Sequence, residues 1–161
     1  MGITPQEMPL IEGNTPVLSN GLGTCDYISL KNAKGVLIFV HQYGGGNTDD
    51  LTLTVNQATN VAAAGAVALT TGAEFQIWVN ADTATSDTMV KQTDAITYVI
   101  DNAATNNQMV ALYIDARILS AGFDCVALVG AGGNVANIVS VLYMLDGARY
   151  QQTTPPSAIT D

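Results

Sequence analysis

Charged side chains are scarce in this sequence, and basic ones are nearly absent. Charged residues make up 12% of the 161 residues, about half of the usual ~25%. The chain has 14 Asp and Glu against 5 Lys and Arg, which gives a net charge of −9. Nucleic acid binding relies on clustered Lys and Arg, so no nucleic acid partner is expected. An anionic membrane surface would repel such a chain, so no membrane partner is expected either.

Cysteine and histidine are also rare. Cys25 and Cys125 lie far apart in the sequence, and two cysteines do not make a disulfide framework. We expect both to be small buried hydrophobes, with one long-range bridge as the alternative. His41 is the single histidine, so no zinc or iron ligand spacing exists. We expect His41 to be an edge-strand residue, neutral or half exposed.

The sequence lacks a recognisable targeting or membrane segment. The start, MGITPQEMPL, has neither a basic region nor an apolar run, so no signal peptide is expected. Residues 125–145 are uncharged and long enough to span a bilayer, but Gly132, Gly133 and Asn134 interrupt them. Two core strands joined by a Gly-Gly-Asn hairpin turn explain this stretch better. The same glycines lack the third glycine of a dinucleotide-binding fingerprint.

Short β-type runs separated by turn signals fill the chain from Cys25 onward. The clearest is LTLTV, in which Leu and Val alternate with Thr. We predict strands at Asp26–Leu30, Val36–His41, Leu51–Val55, Val67–Thr70, Phe75–Asn80, Thr88–Lys91, Ile96–Ile100, Met109–Asp115, Asp124–Val129 and Ile138–Leu145. This spacing predicts an all-β sandwich or barrel. The last strand is apolar on both faces and is therefore predicted to be central. The segment QATNVAAAGAVAL could form a short helix, although Gly65 weakens it.

Both ends of the chain differ from the middle. Prolines and glycines are frequent in residues 1–24, which forbids a helix and disfavours an inner strand. We predict an extended N-terminal arm that lies on a neighbouring protein, with a disordered terminus as the alternative. Residues 25–150 form the predicted β-sandwich domain, and residues 151–161 form an extended, solvated tail. The apolar residues of the arm are Ile3, Met8, Leu10 and Ile11.

The stretch VHQYGGGNTDD has two chemical interpretations. It resembles the oxyanion-hole loop of lipase-like hydrolases, but no G-x-S-x-G elbow is present and His41 leaves no second histidine as a base. A calcium turn is the other interpretation, since Asn47, Asp49 and Asp50 offer oxygen ligands. Calcium requires six to eight oxygens, so we expect no cofactor, with a single Ca²⁺ at these residues as the alternative.

Two other features are candidates for binding. Asp82 and Asp87 are a second, weaker calcium candidate, with turn capping as the alternative. In FQIWVN, the strand period places Trp78 opposite Ile77 and Val79. Trp is enriched at interface hot spots, so Trp78 is a candidate anchor, with a strand covered on both sides as the alternative. No catalytic constellation is found, and we expect no enzyme.

Four stretches carry a family resemblance. They are DYISLKNAKGVLIFVH, DTATSDTMVKQTDAITYVIDNA, VALYIDARILSAGFDCVAL and the ending SVLYMLDGARY. Across roughly residues 25–150 they resemble small virion structural proteins of tailed bacteriophages, which are treated as head-decoration or cement proteins. The resemblance implies an all-β, jelly-roll-like fold on the outside of a capsid. It also implies the major capsid protein and further copies of the chain, such as a homotrimer, as partners.

A cement role implies several weak contacts that act together. Once one contact with the shell forms, the next is effectively intramolecular, so weak patches give firm attachment. The arm could add a strand to an exposed sheet edge, and its deletion is expected to leave a folded domain that no longer binds shells. A tail or neck protein of the same virion is one alternative. A jelly-roll carbohydrate-binding module is another, disfavoured because aromatic residues make up only 6%. The expected anchors are Ile3, Met8, Leu10, Ile11, Tyr43 and Trp78.

Overall fold

Nearly all regular structure in the chain is β-strand. The computed structural model describes residues 8–45, 49–102 and 106–148. Short 3₁₀ turns lie at Ser19–Gly21 and Ala116–Ile118. No helix among the described residues is long and apolar enough to cross a membrane. The strands are β1 (Leu10–Leu18), β2 (Ile28–Ser29), β3 (Ala33–Tyr43), β4 (Leu51–Ala58), β5 (Val67–Ala68), β6 (Gln76–Asn80), β7 (Val90–Lys91), β8 (Thr97–Ile100), β9 (Gln108–Asp115), β10 (Cys125–Gly132) and β11 (Ile138–Ala148).

The strands form two antiparallel sheets packed as a sandwich, which confirms the predicted fold class. The large sheet has six strands in the order β1-β11-β3-β9-β6-β7. The small sheet has the order β2-β10-β4-β5, and β8 also pairs with β4. Side chains alternate along each strand, so every second residue points into the space between the sheets. These inward residues, mostly Val, Ile and Leu, form one continuous core.

The first and last parts of the chain pair in a nested order. β1 pairs with β11, β2 with β10, β3 with β9, and β4 with β8, all antiparallel. Nested pairing of this kind is what results when one long double hairpin rolls up into two sheets, as in a jelly roll. Strands β5, β6 and β7 are an insertion between β4 and β8. Of these, β6 and β7 extend the large sheet beyond β9.

Every strand predicted from the sequence is present, with shifted ends. β11 lies inside the large sheet between β1 and β3, as its apolar pattern predicts. Two predictions are wrong. Residues 59–66 form turns rather than a helix, because β4 continues to Ala58 and Gly65 adopts a positive φ of 63°. His41 lies on β3, which is an inner strand rather than an edge strand.

The predicted Gly-Gly-Asn hairpin between β10 and β11 is also wrong, because these strands belong to different sheets. The connection crosses from the small sheet to the large one. Gly132 and Gly133 have φ angles of 84° and 77°, values that glycine adopts readily. A Cβ on Gly133 would lie 2.5 Å from Ser19 Oγ. The glycines therefore allow the backbone to turn tightly where it crosses from one sheet to the other.

The boundary predicted at residue 24 does not separate an arm from the sandwich. Residues 10–18 form β1, which pairs with β11 along its length. The side chain of Leu22 is 3% exposed and belongs to the core. The prolines exclude an inner strand, but an edge strand tolerates them, and β1 is an edge strand with two register shifts. Residues 1–7 and the predicted tail, 151–161, lie outside the described residues.

Candidate protein-binding surface

The large sheet has an apolar side that faces away from the core. An antiparallel sheet with one solvated side normally alternates apolar residues inward with polar residues outward. In β11 the inward residues Val139, Val141 and Tyr143 are each 0% exposed, and the residues between them point outward. Pairing register continues this outward set across the neighbouring strands. We call it the outer face: Leu10, Leu37, Phe39, Tyr43, Trp78, Met109, Ala111, Tyr113, Ile138, Leu142 and Met144.

Register places these side chains in rows across the sheet. Leu142 of β11 lies opposite Phe39 of β3, and Phe39 lies opposite Ala111 of β9. Ala111 lies opposite Trp78 of β6. Directly opposed residues in antiparallel strands have Cβ atoms about 4.5–5.5 Å apart. The row is therefore a continuous apolar strip through the middle of the outer face.

Several members of the outer face are well exposed. The exposed fraction is 40% for Leu142, 43% for Ile138, 53% for Tyr43 and 59% for Leu10. Single exposed hydrophobic residues are common on protein surfaces, but a contiguous patch marks an interaction site. The outer face is therefore a candidate binding surface, because its apolar residues are contiguous.

Charged groups lie beside the outer face, and one ion pair is among them. Lys91 Nζ lies 5.9 Å from the ring centre of Trp78 and 2.9 Å from Asp94 Oδ1. The Tyr113 hydroxyl donates to Asp146 Oδ2 at 2.7 Å. Burial and this hydrogen bond raise the pKa of Tyr113 to about 12, so the hydroxyl stays protonated and keeps donating at neutral pH. The Tyr113 hydroxyl is neutral, so this bond cancels no charge on Asp146. The apolar strip itself contains no charged side chain, but Glu12 of β1 lies exposed opposite Leu142 at its end.

The outward side of the small sheet is different. Its outward positions on β4 are Thr52, Thr54 and Asn56, which are half-buried and lie opposite the small residues Ala131 and Ala127 and the β-branched Val129 of β10. Hydroxyl and amide side chains of this kind are polar and offer few large apolar contacts. The two sides of the sandwich are thus chemically unlike.

The structure brings together three of the predicted anchors and separates the others. Leu10, Tyr43 and Trp78 all belong to the outer face. Ile11 points inward opposite Tyr143 and packs on the core. Met8 is half-buried just before β1, and Ile3 lies outside the described residues.

Sequence reasoning missed the central residues of the outer face, Leu37, Phe39 and Leu142. Their signal was present, because residues 36–40 and 141–145 are apolar at successive positions rather than at every second one. For the last strand, that pattern was interpreted only as a central position in the sheet. It is equally what a strand shows when one side faces the core and the other faces a partner.

The aspartates of the predicted calcium turn hold neighbouring loops together. Asn102 donates its backbone N–H to Asp50 Oδ1 at 3.1 Å and its amide to the Asp49 carbonyl at 2.7 Å. Asn134 donates to Asp49 Oδ2 at 2.6 Å, and the buried Gln42 donates to Asn102 Oδ1. Asn47 lies outside the described residues, and within them no three His, Cys, Asp or Glu side chains group as a metal ion requires. The expectation that no cofactor binds stays a prediction, with a single Ca²⁺ at this turn as its alternative.

The remaining candidate residues have local partners. Asp82 caps its own turn, accepting from Ala84 N at 3.0 Å and Thr85 Oγ1 at 2.8 Å. His41 is exposed on the outer side of β3. Cys25 and Cys125 are both buried and are not joined in a disulfide, as expected for small hydrophobes. The structure does not contain the alternative, a disulfide bridge between them.

Comparison with known proteins yields one structural likeness. No protein-family model matches the chain, and no curated protein matches it. Among solved structures, the SPBc2 prophage-derived protein YomS is similar, with 10% sequence identity and a TM-score of 0.44. The match covers 90% of this chain and 97% of that chain. Nothing about the activity or partners of this chain follows from a likeness at that level.

Proposed function

We propose that this chain is a structural protein of a tailed-phage virion that decorates the outer shell of the capsid and acts by adhesion rather than catalysis. The observation that carries the proposal is the outer face, which contains an apolar strip from β11 to β6 and exposes Leu142, Ile138 and Tyr43 beside it. A patch of this kind in a soluble sandwich calls for a protein partner. The sequence resemblance to small virion proteins across roughly residues 25–150 supplies the setting in which that partner is found.

The composition supports the same role. A decoration protein must stay folded while it rests on a surface, and it needs binding area more than reactive groups. The rigid core and the neutral, polar side of the small sheet suit a subunit that exposes one adhesive side and one hydrated side. Several modest contacts on a repeating shell would reinforce each other through effective concentration.

Immunogold labelling of intact virions tests the proposal directly. Antibody raised against the purified chain should label the whole head surface at regular spacing. Label confined to one vertex or to the tail would instead support a neck or tail protein. Absence of label on particles, when the same antibody detects the free chain, would refute a role in the virion.

A further inference from the structure

The apolar strip of the outer face ends in a carboxylate at the free edge of the large sheet. Glu12 of β1 is exposed and lies directly opposite Leu142 of β11. Directly opposed residues have Cβ atoms about 4.5–5.5 Å apart, so a partner that covers Leu142 also removes water from Glu12. A carboxylate that loses water without gaining a cation or a donor destabilises the contact. A surface that covers Leu142 closely is therefore favoured if it brings a positive group to Glu12.

A polar cleft lies beside Glu12. The pairing of β1 with β11 shifts register after Glu12 and skips Gly13, and an irregularity of this kind bends a strand. Asp26 donates its backbone N–H to the Gly13 carbonyl at 2.9 Å, which holds Asp26 alongside β1. The cleft at this point has a volume of about 210 Å³, and Glu12, Asp26, Thr15 and Thr24 are among the residues that line it. Carboxylate and hydroxyl oxygens accept hydrogen bonds from an ammonium or guanidinium group.

The chain itself supplies no cation to this cleft. Both ion pairs in the described part of the chain lie elsewhere, one at Lys91 and one at Arg117. Glu12 and Asp26 therefore have no ion-pair partner among the described residues. A second copy of the chain would be a poor occupant, because it has only 5 basic residues and a net charge of −9 and would be repelled. A different protein surface that carries a basic side chain is the complement that charge favours.

We propose that the outer face binds a protein surface in which an apolar patch is bordered by a lysine or arginine, and that this basic side chain enters the cleft and pairs with Glu12 and Asp26. The inference rests on the proposed function, because the protein surface is taken to be that of the capsid shell. Apolar contact along the strip provides the buried area. The ion pair at one end of the strip decides which partner is accepted and in which orientation, since electrostatic complementarity contributes mainly to specificity.

Charge-changing variants of Glu12 test the pair, with Asp101 as the matched control. Asp101 is exposed and follows β8, which pairs with β4 of the small sheet. Asp101→Asn and Asp101→Lys change the net charge by the same amounts as Glu12→Gln and Glu12→Lys. The full-length variants are co-sedimented with capsids that lack the chain, at low and at high NaCl concentration. Circular dichroism confirms that each variant folds.

The ion pair predicts a graded loss of binding at low salt. Glu12→Gln should reduce the amount bound by roughly two- to fivefold, as expected for a solvent-accessible pair. Glu12→Lys should reduce it by at least about tenfold, because the reversed charge repels the partner's cation. Both Asp101 variants should bind as the wild type does. High salt should narrow the difference between Glu12→Gln and the wild type, since salt screens exposed pairs.

Equal binding by Glu12→Lys and Asp101→Lys would overturn the inference. If Leu142→Asp nevertheless lost binding in the same assay, the proposed function and the role of the outer face would stand, and only the basic partner group would be wrong. Failure of the wild-type chain to bind these capsids at all would overturn the proposed function and the inference together.

Discussion

At the scale of single residues, Tyr143 links the two sheets. Its backbone belongs to β11 in the large sheet, and its hydroxyl accepts from Leu128 N of β10 in the small sheet at 3.0 Å. Burial raises the pKa of Tyr143 well above its ordinary value, so the ring stays neutral inside the core. Gly13 leaves room for the ring, since a Cβ there would lie 2.7 Å from it. This arrangement depends on contacts between distant parts of the chain and could not be predicted from sequence spacing.

We predict that Tyr143→Phe lowers the free energy of unfolding by about 1–3 kcal/mol, because the buried Leu128 N–H loses its side-chain acceptor. Urea unfolding measures the change. Tyr43→Phe is the matched control, since Tyr43 is 53% exposed, and should change stability by less than about 0.5 kcal/mol. Equal effects of the two substitutions would show that the link between the sheets contributes nothing.

The thiol of Cys25 gives stability a defined pH dependence. Burial, opposed in part by hydrogen bonds to Tyr143 and Asn14, raises the pKa of Cys25 from 9.0 to about 11. Above pH 9 the unfolded chain releases this proton while the folded chain keeps it, so stability falls as pH rises through this window. Urea unfolding of the wild type should show a loss of roughly 1 kcal/mol between pH 9 and pH 10. Cys25→Ala should show a smaller loss, and an identical pH dependence would contradict the assignment.

At the scale of strands, local patterns explain what the sequence could and could not predict. The alternation of apolar and polar residues and the turn residues between strands are local signals, so the strands from β2 to β11 could be predicted from the sequence. β1 was missed because proline and glycine were taken as evidence for a separate arm, although an edge strand accepts both. The crossing from β10 to β11 was mistaken for a hairpin, because Gly132 and Gly133 are compatible with either connection. The choice between them depends on which sheet each strand joins, and that is decided by long-range packing.

The position of β1 changes the expected result of removing residues 1–24. Deleting them would leave one side of β11 without its partner and remove the core residue Leu22. We therefore predict that this deletion yields insoluble or largely unfolded protein, contrary to the sequence-based expectation of an intact domain. Circular dichroism and urea unfolding of the truncated chain measure the outcome. A cooperatively folded protein lacking residues 1–24 would show that β1 is dispensable.

At the scale of the whole molecule, the two outward sides of the sandwich differ in chemistry. Its core accounts for the inward residues of both sheets, and hydration accounts for the Thr and Asn of the small sheet. Neither accounts for Leu142, Ile138 and Tyr43 on the outer face, which remain exposed to water at 40%, 43% and 53%. Trp78 was predicted as an anchor because the strand period places it opposite Ile77 and Val79, whereas Leu10 was predicted as an apolar residue of the arm and Tyr43 as a further anchor. That they share a single face follows only from the strand order.

The central claim is that the outer face attaches the chain to the virion, and co-sedimentation with capsids that lack the chain tests it most directly. Leu142→Asp should reduce the amount bound by at least about tenfold, because a charge would have to be buried in an apolar contact. Val99→Asp is the matched control, because Val99 is 44% exposed on β8, which pairs with β4 of the small sheet, and this variant should bind as the wild type does. Equal binding of both folded variants would contradict the account and place the adhesive surface elsewhere on the molecule.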